Sequence, residues 1–453
     1  MYGLGKTFFY SFKKEFLIID FPFIIIIGLL ISSFLSIFLN FFFPINHYVT
    51  SIFLVTTSLT GIFYILKDKS LNTFLYIIII SLIVFLLVFK STNVVDFGLY
   101  HAPYIGILNS EKIVIGLTNI HFRFGYSSII QNAMAIYNIP IFFPKNYLTL
   151  TSIFFSSVYL FYFFYLIRIK NFRDFTLIYF FNLFIFIFIS IKVYRYNDFG
   201  NDMLSNLIIF IIWSKVLEYI FYKNNKIIKD DYNNILILLI FSIMLATFNK
   251  LQFILGILPV SILFIKNLKF FSFDNKKIYY LLFICIITIT VTTRNFLISG
   301  CIQYPIAITC SENVSWSTKN TKSITDAYYN YQKGQAWSKD WPNRIIRKDT
   351  RQIRTYEEYN KIENWLPIWI DNHFKKIIKN LNHFFLIFFF LLFFLLIKKT
   401  NSRRQKKYRW PELVLLFISI LCLLIWFLKF PIFRYGYSFI LISIVFPTIL
   451  FLK

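Results

Sequence analysis

Side chains that can exchange protons are concentrated in one stretch of the chain, between two strongly apolar runs. Asp96, Tyr100 and His101 stand in the segment Asp-Phe-Gly-Leu-Tyr-His-Ala-Pro, and His121 follows in Asn-Ile-His-Phe-Arg-Phe-Gly-Tyr. If Asp96 opens a short helix, Tyr100 lies one turn later on the same face. Because Pro103 fits the start of a helix better than its middle, that turn is expected to be distorted. The carboxylate and the two imidazoles could act as general acids or bases, or they could only cap helix ends.

Four cations stand in similar short polar segments. Arg123 lies in the stretch just described, Lys250 separates two apolar runs, Arg294 comes near the end of another, and Arg434 is in Phe-Pro-Ile-Phe-Arg-Tyr-Gly-Tyr. Such charges cost free energy at membrane depth unless they line a polar cavity or snorkel to the interface. Arginine forks and lysine charges suit phosphate oxygens. The pattern predicts a cleft for an anionic, membrane-embedded molecule, with these four residues and Tyr100 as candidate phosphate-binding and substrate-binding residues.

The composition is that of a chain whose solvent is mostly lipid. Of 453 residues, 58% are hydrophobic and 15% are charged, whereas an ordinary soluble domain has about 45–50% apolar and about 25% charged residues. This excludes a typical soluble globular protein. The net charge of +26 would suggest a nucleic-acid partner in a soluble protein. In a membrane protein it is expected beside anionic lipid on the cytoplasmic rim, so we expect a membrane-lipid partner and no nucleic acid.

Twelve apolar runs are candidate membrane spans, since one crossing needs roughly 20 helical residues. They cover residues 17–43, 49–66, 73–89, 149–167, 175–193, 203–222, 234–248, 251–265, 278–298, 378–397, 413–428 and 438–452. The first run lacks a cleavage site and is therefore interpreted as a retained span. Lysine and arginine concentrate in alternate loops, which predicts that both termini are cytoplasmic. The short seventh and eighth runs could form a tight hairpin or two broken half-helices.

Two segments on the opposite face are too long to be simple connections. Residues 90–148 contain Pro103, Pro140 and Pro144 and are expected to form short helices along the membrane surface. Residues 299–377 hold five of the eight tryptophans and are expected to form a small extracytoplasmic cap. The prediction is an all-α integral membrane protein with about 12 transmembrane helices. Its parts are a transmembrane core over 1–298 that includes the 90–148 loop, the 299–377 cap, and C-terminal transmembrane helices over 378–453.

Cysteine and motif content limits the remaining chemistry. Cys301 and Cys310 lie in the predicted cap, where an oxidising compartment would permit a disulfide. The sequence has no CxxC or His/Cys metal spacing, P-loop, GxGxxG, GxSxG or HExxH motif. Nucleotide-driven transport by this chain alone, Rossmann cofactors and zinc hydrolysis are therefore disfavoured, and no metal ligands are predicted.

Residues 96–128 resemble the first long outer loop of a bacterial family of multi-pass membrane proteins that is itself similar to the GT-C glycosyltransferases. Residues 247–252 and 294–305 resemble the same family. The resemblance implies a GT-C-like fold in the bacterial inner membrane, a polyprenyl-phosphate-sugar donor and a glycan or lipid acceptor. It also implies a central catalytic acid in the first outer loop, where this chain has Asp96. Many members have two neighbouring acids there, whereas here Glu111 stands fifteen residues later, so a divalent metal cofactor shared by adjacent carboxylates is disfavoured.

These observations favour sugar transfer at the extracytoplasmic face. Asp96 is the candidate base for the acceptor hydroxyl, with His101 and His121 as alternatives. The four cations would stabilise charge on the departing phosphate. A transporter or lipid-oligosaccharide flippase, an outer-face polysaccharide polymerase or ligase, and a non-catalytic membrane scaffold remain alternatives. The hypothesis requires the acidic and cationic side chains to meet in one pocket.

Overall fold

A computed structural model gives the arrangement of most of the chain. It describes residues 1–10, 21–88, 96–126, 128–138, 150–169, 177–197, 202–221, 229–266, 268, 275–311, 313–316, 323–346, 355–399 and 409–451. Within these ranges the regular secondary structure is helical, and the only β-type pairing is an isolated bridge between Cys301 and Cys310. The predicted all-α class is confirmed for this part of the chain.

Eighteen α-helices follow one another in these ranges. They are α1 Tyr2–Tyr10, α2 Phe21–Asn40, α3 His47–Lys67, α4 Leu71–Val88, α5 Ala102–Ser110, α6 Ile129–Ile136, α7 Leu150–Ile169, α8 Leu177–Ile191, α9 Asp202–Phe221, α10 Lys229–Asn249, α11 Ile257–Lys266, α12 Asn275–Ser299, α13 Ser323–Ser338, α14 Tyr356–Tyr359, α15 Ile362–Trp369, α16 Lys375–Lys399, α17 Trp410–Lys429 and α18 Tyr437–Phe451. Short 3₁₀ or π-helical turns connect several of them.

Nine helical stretches among the described residues are long and apolar enough to cross a membrane. They are Phe21–Asn40, His47–Lys67, Leu71–Val88, Leu150–Arg168, Asp202–Phe221, Tyr232–Asn249, Ile278–Ser299, Ile362–Phe393 and Trp410–Lys429. Three further apolar helices, Ile178–Ile191, Leu251–Lys266 and Tyr437–Phe451, are shorter. Together they coincide with the twelve predicted runs, and nine of them have the length of a full span. This is the pattern of an α-helical membrane protein, because a helix satisfies its own backbone in lipid.

The helices differ in how far their neighbours cover them. The apolar part of α9 is 83% buried, whereas that of α4 is 17% buried. Leu82, Leu86 and Leu87 on α4 remain exposed. A long row of exposed leucines would be unfavourable in water, so α4 belongs at the lipid-facing edge and α9 at the centre of the bundle.

The seventh and eighth predicted spans form a hairpin. The hydroxyl of Tyr232, near the start of α10, donates to the carbonyls of Leu263 and Phe264 near the end of α11 at 3.4 Å. The turn at the other end contains Lys250 in an extended conformation, followed by the 3₁₀ segment Leu251–Gly256. Of the two alternatives, the structure has the hairpin, and it places Lys250 at the hairpin tip.

The expectation that the 90–148 segment forms helices along the membrane surface is wrong for α6. All eight residues of α6 are buried, and the helix packs against α2, α5, α7 and α10. A surface helix would leave one face exposed. Ser128 caps α6, with Gln131 bonding back to the Ser128 backbone, so the buried N-terminus keeps hydrogen-bond partners. Pro140 and Pro144 lie outside the described residues.

The N-terminal helix α1 was not predicted. It packs against α2 and α3, and the approach to α2 is very close. A Cβ on Gly5 would lie 2.0 Å from the carbonyl oxygen of Ile24, so no larger residue fits without moving a backbone. Small residues at such crossings are typical of helices packed in membranes.

The predicted cap and C-terminal part are joined by a continuous helical stretch. The proposed boundary at residue 377 falls inside Ile362–Phe393, where a π-helical turn over Ile370–Phe374 connects α15 to α16. Of the predicted cytoplasmic loops, residues 170–176, 222–228, 269–274 and 400–408 lie outside the described ranges. The orientation of the bundle therefore stays a prediction.

Candidate functional site

Asp96 stands at the start of a helical segment whose first turn is wide. The segment Phe97–His101 is a π-helical turn, and the N–H of Ala102 donates to the carbonyl of Phe97, five residues back. Pro103 occupies the first turn of α5. Proline has no N–H and its ring crowds the preceding turn of a regular helix, and the wider π turn accommodates it. The expected distortion is therefore present, and Tyr100 and His101 project from it.

The carboxylate of Asp96 lies between two guanidinium groups. Nη1 of Arg123 donates to its Oδ1 at 2.9 Å, and Nη2 of Arg434 donates to its Oδ2 at 3.3 Å. The three side chains are each about a quarter exposed, at 26%, 29% and 24% for Asp96, Arg123 and Arg434. The contact joins the segment before α5 and the 3₁₀ turn that contains Arg123 to the short turn before α18.

Arg434 also contacts a second carboxylate. Nε of Arg434 is 3.0 Å from Oδ2 of Asp202, and the other oxygen of Asp202 pairs with the ammonium group of Lys250. Asp202 is the first residue of α9, where the helix dipole favours a negative charge, and its side chain is only 3% exposed. Five charges therefore alternate in sign as Arg123, Asp96, Arg434, Asp202 and Lys250. We call these five residues the ion-pair row.

Electrostatics keep Asp96 ionised. Burial raises the pKa of Asp96, but the charges and hydrogen bonds of Arg123 and Arg434 lower it, and the resulting pKa is below its ordinary value. Burial, then Arg123 and Lys333, lower the pKa of His121, so its imidazole is neutral at pH 7. Nδ1 of His121 accepts the backbone N–H of Arg123 at 3.3 Å. The site thus holds a carboxylate beside a neutral imidazole.

Aromatic rings line the row. The guanidinium of Arg123 lies 4.7 Å from the ring centroid of Tyr100, and the ring of His121 stacks on Tyr100 at 6.5 Å. Burial raises the pKa of Tyr100, so its phenol stays protonated. At the other end, the ammonium of Lys250 is 3.9 Å from the ring centroid of Tyr435. These rings hold the cations by cation–π attraction.

The structure adds three cations that were not among the candidate site residues, namely Lys192, Arg195 and Lys333. The ammonium of Lys192 lies 5.4 Å from the ring centroid of Phe433, beside Arg434. Burial, with a contribution from Arg195, lowers the pKa of Lys192 to about 8. Lys333 lies 4.5 Å from the ring centroid of Phe122. Asp202 was also not among the candidate site residues, although its position between two apolar runs was a signal for it.

Arg294 lies in a different environment. Its Nη1 donates to Oδ1 of Asn132 at 2.5 Å, and its Nε and Nη2 donate to Oδ1 of Asn295 at 3.3 and 2.8 Å. Arg294 is 2% exposed and Asn132 is fully buried. Two asparagines are thus partners of Arg294. The structure brings Asp96, Tyr100, His121, Arg123, Lys250 and Arg434 together, whereas Arg294 donates to Asn132 and Asn295.

Helix α6 connects the two environments. Nε2 of Gln131 is 2.6 Å from Nδ1 of His101, and because an amide nitrogen only donates, this Nδ1 accepts. The hydroxyl of Ser128 donates to the side chain of Asn249, next to Lys250. Asn132, on the same helix, receives Arg294. His101 is therefore held from α6.

Two further predictions concern cysteine and metal chemistry. Cys301 and Cys310 are joined by a disulfide. Among the residues that the structure describes, no group of three or more His, Cys, Asp or Glu could hold a metal ion. The immediate neighbours of Asp96 are two guanidinium groups, which suit an anion better than a metal cation.

Comparison with known families gives one match. Residues 1–441 match the family described as Domain of unknown function (DUF8201). No curated protein and no solved structure matches the chain. The matched range includes every residue of the ion-pair row.

Proposed function

The chain belongs to the family described as Domain of unknown function (DUF8201), and from the site in this member we propose that it is a membrane glycosyltransferase. It moves a sugar from a polyprenyl-phosphate-linked donor to a glycan or lipid acceptor at the extracytoplasmic face. The observation that supports this most directly is the carboxylate of Asp96 held between the guanidinium groups of Arg123 and Arg434. A base and phosphate-binding cations are the two components that such a transfer requires.

The chemistry of the transfer explains this requirement. The acceptor oxygen forms a bond to the anomeric carbon, and the bond from that carbon to the phosphate oxygen breaks. The hydroxyl proton passes to a base, and the bonding electron pair stays on the phosphate. A positioned base and preorganised positive charge lower the barriers to these two events.

In the proposal, Asp96 accepts the proton, and Arg123, Arg434 and Lys250 hold the phosphate. An aspartate whose pKa lies below its ordinary value is a weak base. When a phosphate takes hydrogen bonds from the two arginines, their hold on Asp96 weakens and its basicity rises. Donor binding would thereby activate the base. His121, which is neutral at pH 7, is the alternative base.

The charge balance around the row favours an anionic substrate. Among the described residues, the two carboxylates of the row, Asp96 and Asp202, are accompanied by six cations that lie in the row or near it. These cations are Arg123, Lys192, Arg195, Lys250, Lys333 and Arg434. Converging cations raise the local concentration of an anion and stabilise it once it is bound.

A transporter or lipid-oligosaccharide flippase is the second candidate, and α6 is the observation that favours it. A helix of eight buried residues is too short to span a bilayer, and transporters use such interrupted helices at their binding sites. The two candidates make different products, since a carrier moves its substrate intact.

Sugar transfer by the purified full chain in liposomes tests the proposal. Wild type should transfer label from a radiolabelled polyprenyl-phosphate sugar to acceptor, and Asp96→Asn should lose at least about 100-fold in rate, as expected for a general base. Glu111→Gln, which removes an exposed acid fifteen residues away in the same loop, is the matched control and should retain transfer. Full transfer by Asp96→Asn would reject the assigned base. Movement of intact donor without any transfer would favour the carrier.

The orientation is part of the proposal. Basic loops on one face favour cytoplasmic termini in a bacterial inner membrane, with the ion-pair row outside. A cysteine placed at exposed Trp337 in a variant with Cys285 and Cys422 replaced by alanine should react with an impermeant maleimide on intact cells. A cysteine at exposed Tyr10 should react only after lysis. The reverse pattern would reject this orientation.

A further inference from the structure

The turn that carries Arg434 is held by side chains from several parts of the fold. It contains the 3₁₀ segment Phe433–Tyr435, between α17 and α18. Backbone carbonyls in an irregular turn need partners outside a regular helix, and four of them here accept hydrogen bonds from side chains. The donor and acceptor pairs are Trp369 to Pro431, Trp426 to Ile432, Asn206 to Arg434 and Gln252 to Tyr435, at 2.9, 3.1, 3.0 and 2.9 Å. These contacts fix the backbone from which the Arg434 side chain extends.

Asn206 joins the backbones of the two residues that form one ion pair. It is fully buried in α9, one turn after Asp202. Its Nδ2 donates to the backbone carbonyl of Asp202 at 2.8 Å and to that of Arg434 at 3.0 Å. The side chains of Asp202 and Arg434 form the ion pair at 3.0 Å described above. One amide nitrogen therefore sets how far apart the two backbones lie, and with that the geometry of the pair.

The orientation of the Asn206 amide is determined by its partners. Carbonyl oxygens only accept hydrogen bonds, so the nitrogen of Asn206 faces them and its oxygen faces the other way. That Oδ1 accepts the N–H and the hydroxyl of Ser438, both at 2.8 Å. Ser438 lies in the first turn of α18, where the N–H groups have no partner within the helix. Asn206 thus fastens both Arg434 and the start of α18 to the start of α9.

Gln252 makes the corresponding connection to the hairpin tip. It lies two residues after Lys250, and its Nε2 donates to the carbonyl of Tyr435 at 2.9 Å. The ring centroid of Tyr435 lies 3.9 Å from the ammonium of Lys250. The segments that carry Asp202, Lys250 and Arg434 are thus joined by hydrogen bonds to the backbone as well as by their charges.

We propose that Asn206, assisted by Gln252, is a positioning residue of the donor site, an inference that rests on the proposed function. Both side chains act on the backbone of the turn, and they hold the guanidinium of Arg434 at the place where the donor phosphate binds. Preorganised positive charge stabilises an anion without the cost of ordering the site during binding. A loosened turn would leave Arg434 charged but less often in that place, so the donor would bind more weakly.

Donor kinetics of the purified full chain test this role. Asn206→Leu keeps the branched shape of the side chain and removes its hydrogen bonds. It should raise the KM for the radiolabelled polyprenyl-phosphate sugar about threefold to tenfold, which corresponds to one net hydrogen bond, and leave kcat nearly unchanged. In the Arg434→Gln background, Asn206→Leu should raise this KM no further, because the guanidinium that Asn206 positions is already absent.

Thermal unfolding of the same variants in detergent tests the role without any sugar transfer. The backbone carbonyl at position 434 remains in Arg434→Gln, so a purely structural Asn206 would lower the melting temperature equally with and without the guanidinium. A positioning Asn206 should lower it less in the Arg434→Gln background, because the ion pairs that depend on its hold are already lost.

Asn182→Leu is the matched control. Asn182 is a buried asparagine of α8 that accepts from Ser214 of α9 at 2.7 Å. Ser214 lies about 18 Å along α9 from Asp202, at about 1.5 Å per residue. The change should lower the melting temperature by the same amount with and without Arg434→Gln, and its donor KM should equal that of wild type.

If Asn206→Leu does not fold, Gln252→Met takes its place in both series, since it removes the donor to Tyr435 at a half-buried position. Additive effects on the melting temperature would reject the inference. A donor KM that is unchanged in the single variant, or that rises again in the Arg434→Gln background, would also reject it. Wild type without any transfer would reject the proposed function, and the thermal series would still decide whether Asn206 positions the guanidinium.

Discussion

Asp96 and Arg434 are 338 positions apart in the chain, and their side chains meet at 3.3 Å. The arginine also reaches Asp202 at 3.0 Å, so one guanidinium separates two carboxylates. Without it, two negative charges would face each other across a partly buried gap. Arg434 therefore connects the Arg123–Asp96 pair to the Asp202–Lys250 pair.

Replacing Arg434 should weaken the binding of the lipid-linked donor. Arg434→Gln removes one phosphate-binding cation. It also leaves the negative charges of Asp96 and Asp202 less compensated, so they repel the phosphate more strongly. A lost hydrogen bond to a charged group costs about 1.5–3 kcal/mol, which corresponds to at least about a tenfold rise in KM for the donor. Steady-state transfer at varied donor concentration measures it. Arg434→Lys keeps the charge, so its KM for the donor should lie between those of wild type and Arg434→Gln. An unchanged KM in Arg434→Gln would exclude Arg434 from donor binding.

Acid should remove the contribution of Asp96 to stability. Its folded-state pKa is lowered, so the stabilisation is present above the unfolded value of about 3.9 and is lost as pH falls through the folded pKa. Thermal melts of wild type and Asp96→Asn between pH 3 and pH 7 should therefore differ at pH 7 and converge at the acid end. A constant difference at every pH would mean that the ionised carboxylate is not what stabilises the fold.

Base should stabilise the fold through Lys192. Its pKa is about 8 in the folded chain, against about 10.4 when unfolded. Between these values the unfolded chain binds more protons, so the free energy of unfolding rises with pH. Denaturant melts from pH 7 to pH 10 should show this rise in wild type and not in Lys192→Met. Lys192 is one of the six cations around the ion-pair row, so the loss of its charge in the same range should also lower the affinity for an anionic donor above pH 8.

The cap of α6 should matter for both stability and activity. Ser128 caps the helix and bonds to Asn249, so Ser128→Ala should lower the free energy of unfolding by about 1–2 kcal/mol and slow transfer. Ser81→Ala on lipid-facing α4, whose hydroxyl bonds only its own helix, is the control and should be nearly neutral. Equal effects of the two changes would argue against a special role for the α6 cap.

Much of the fold follows from hydropathy, because a chain in lipid must satisfy its backbone within helices. The positions of the twelve apolar runs were predicted in this way. Helix α6 was not, since eight residues that include Gln131 and Asn132 have no length or hydropathy signal. Its burial depends on the next helix, α7, and on α2 and α10, which are distant in sequence.

The site was predictable to a similar extent. Asp96, Arg123, Lys250 and Arg434 are charges between apolar runs, and the structure joins them into one row. Arg294 has the same sequence signature, but it donates to Asn132 and Asn295. These partners were not predicted, because hydropathy places a cation near a helix end and does not say which neighbours surround it. Lys192 was not predicted as a site residue, because lysines at the ends of apolar runs usually serve as interfacial anchors.

The ion-pair row draws its members from four separate parts of the chain, and Arg434 comes from the last of them. During synthesis and membrane insertion, Asp96 and Asp202 enter the bundle long before α17 and α18 have been made. Asp96 and Asp202 consequently lack the guanidinium of Arg434 until the final hairpin, formed by α17 and α18, has been inserted. Any product truncated before that hairpin retains most of the helices and has no complete row, so under the proposed function it should not bind the phosphate of the donor.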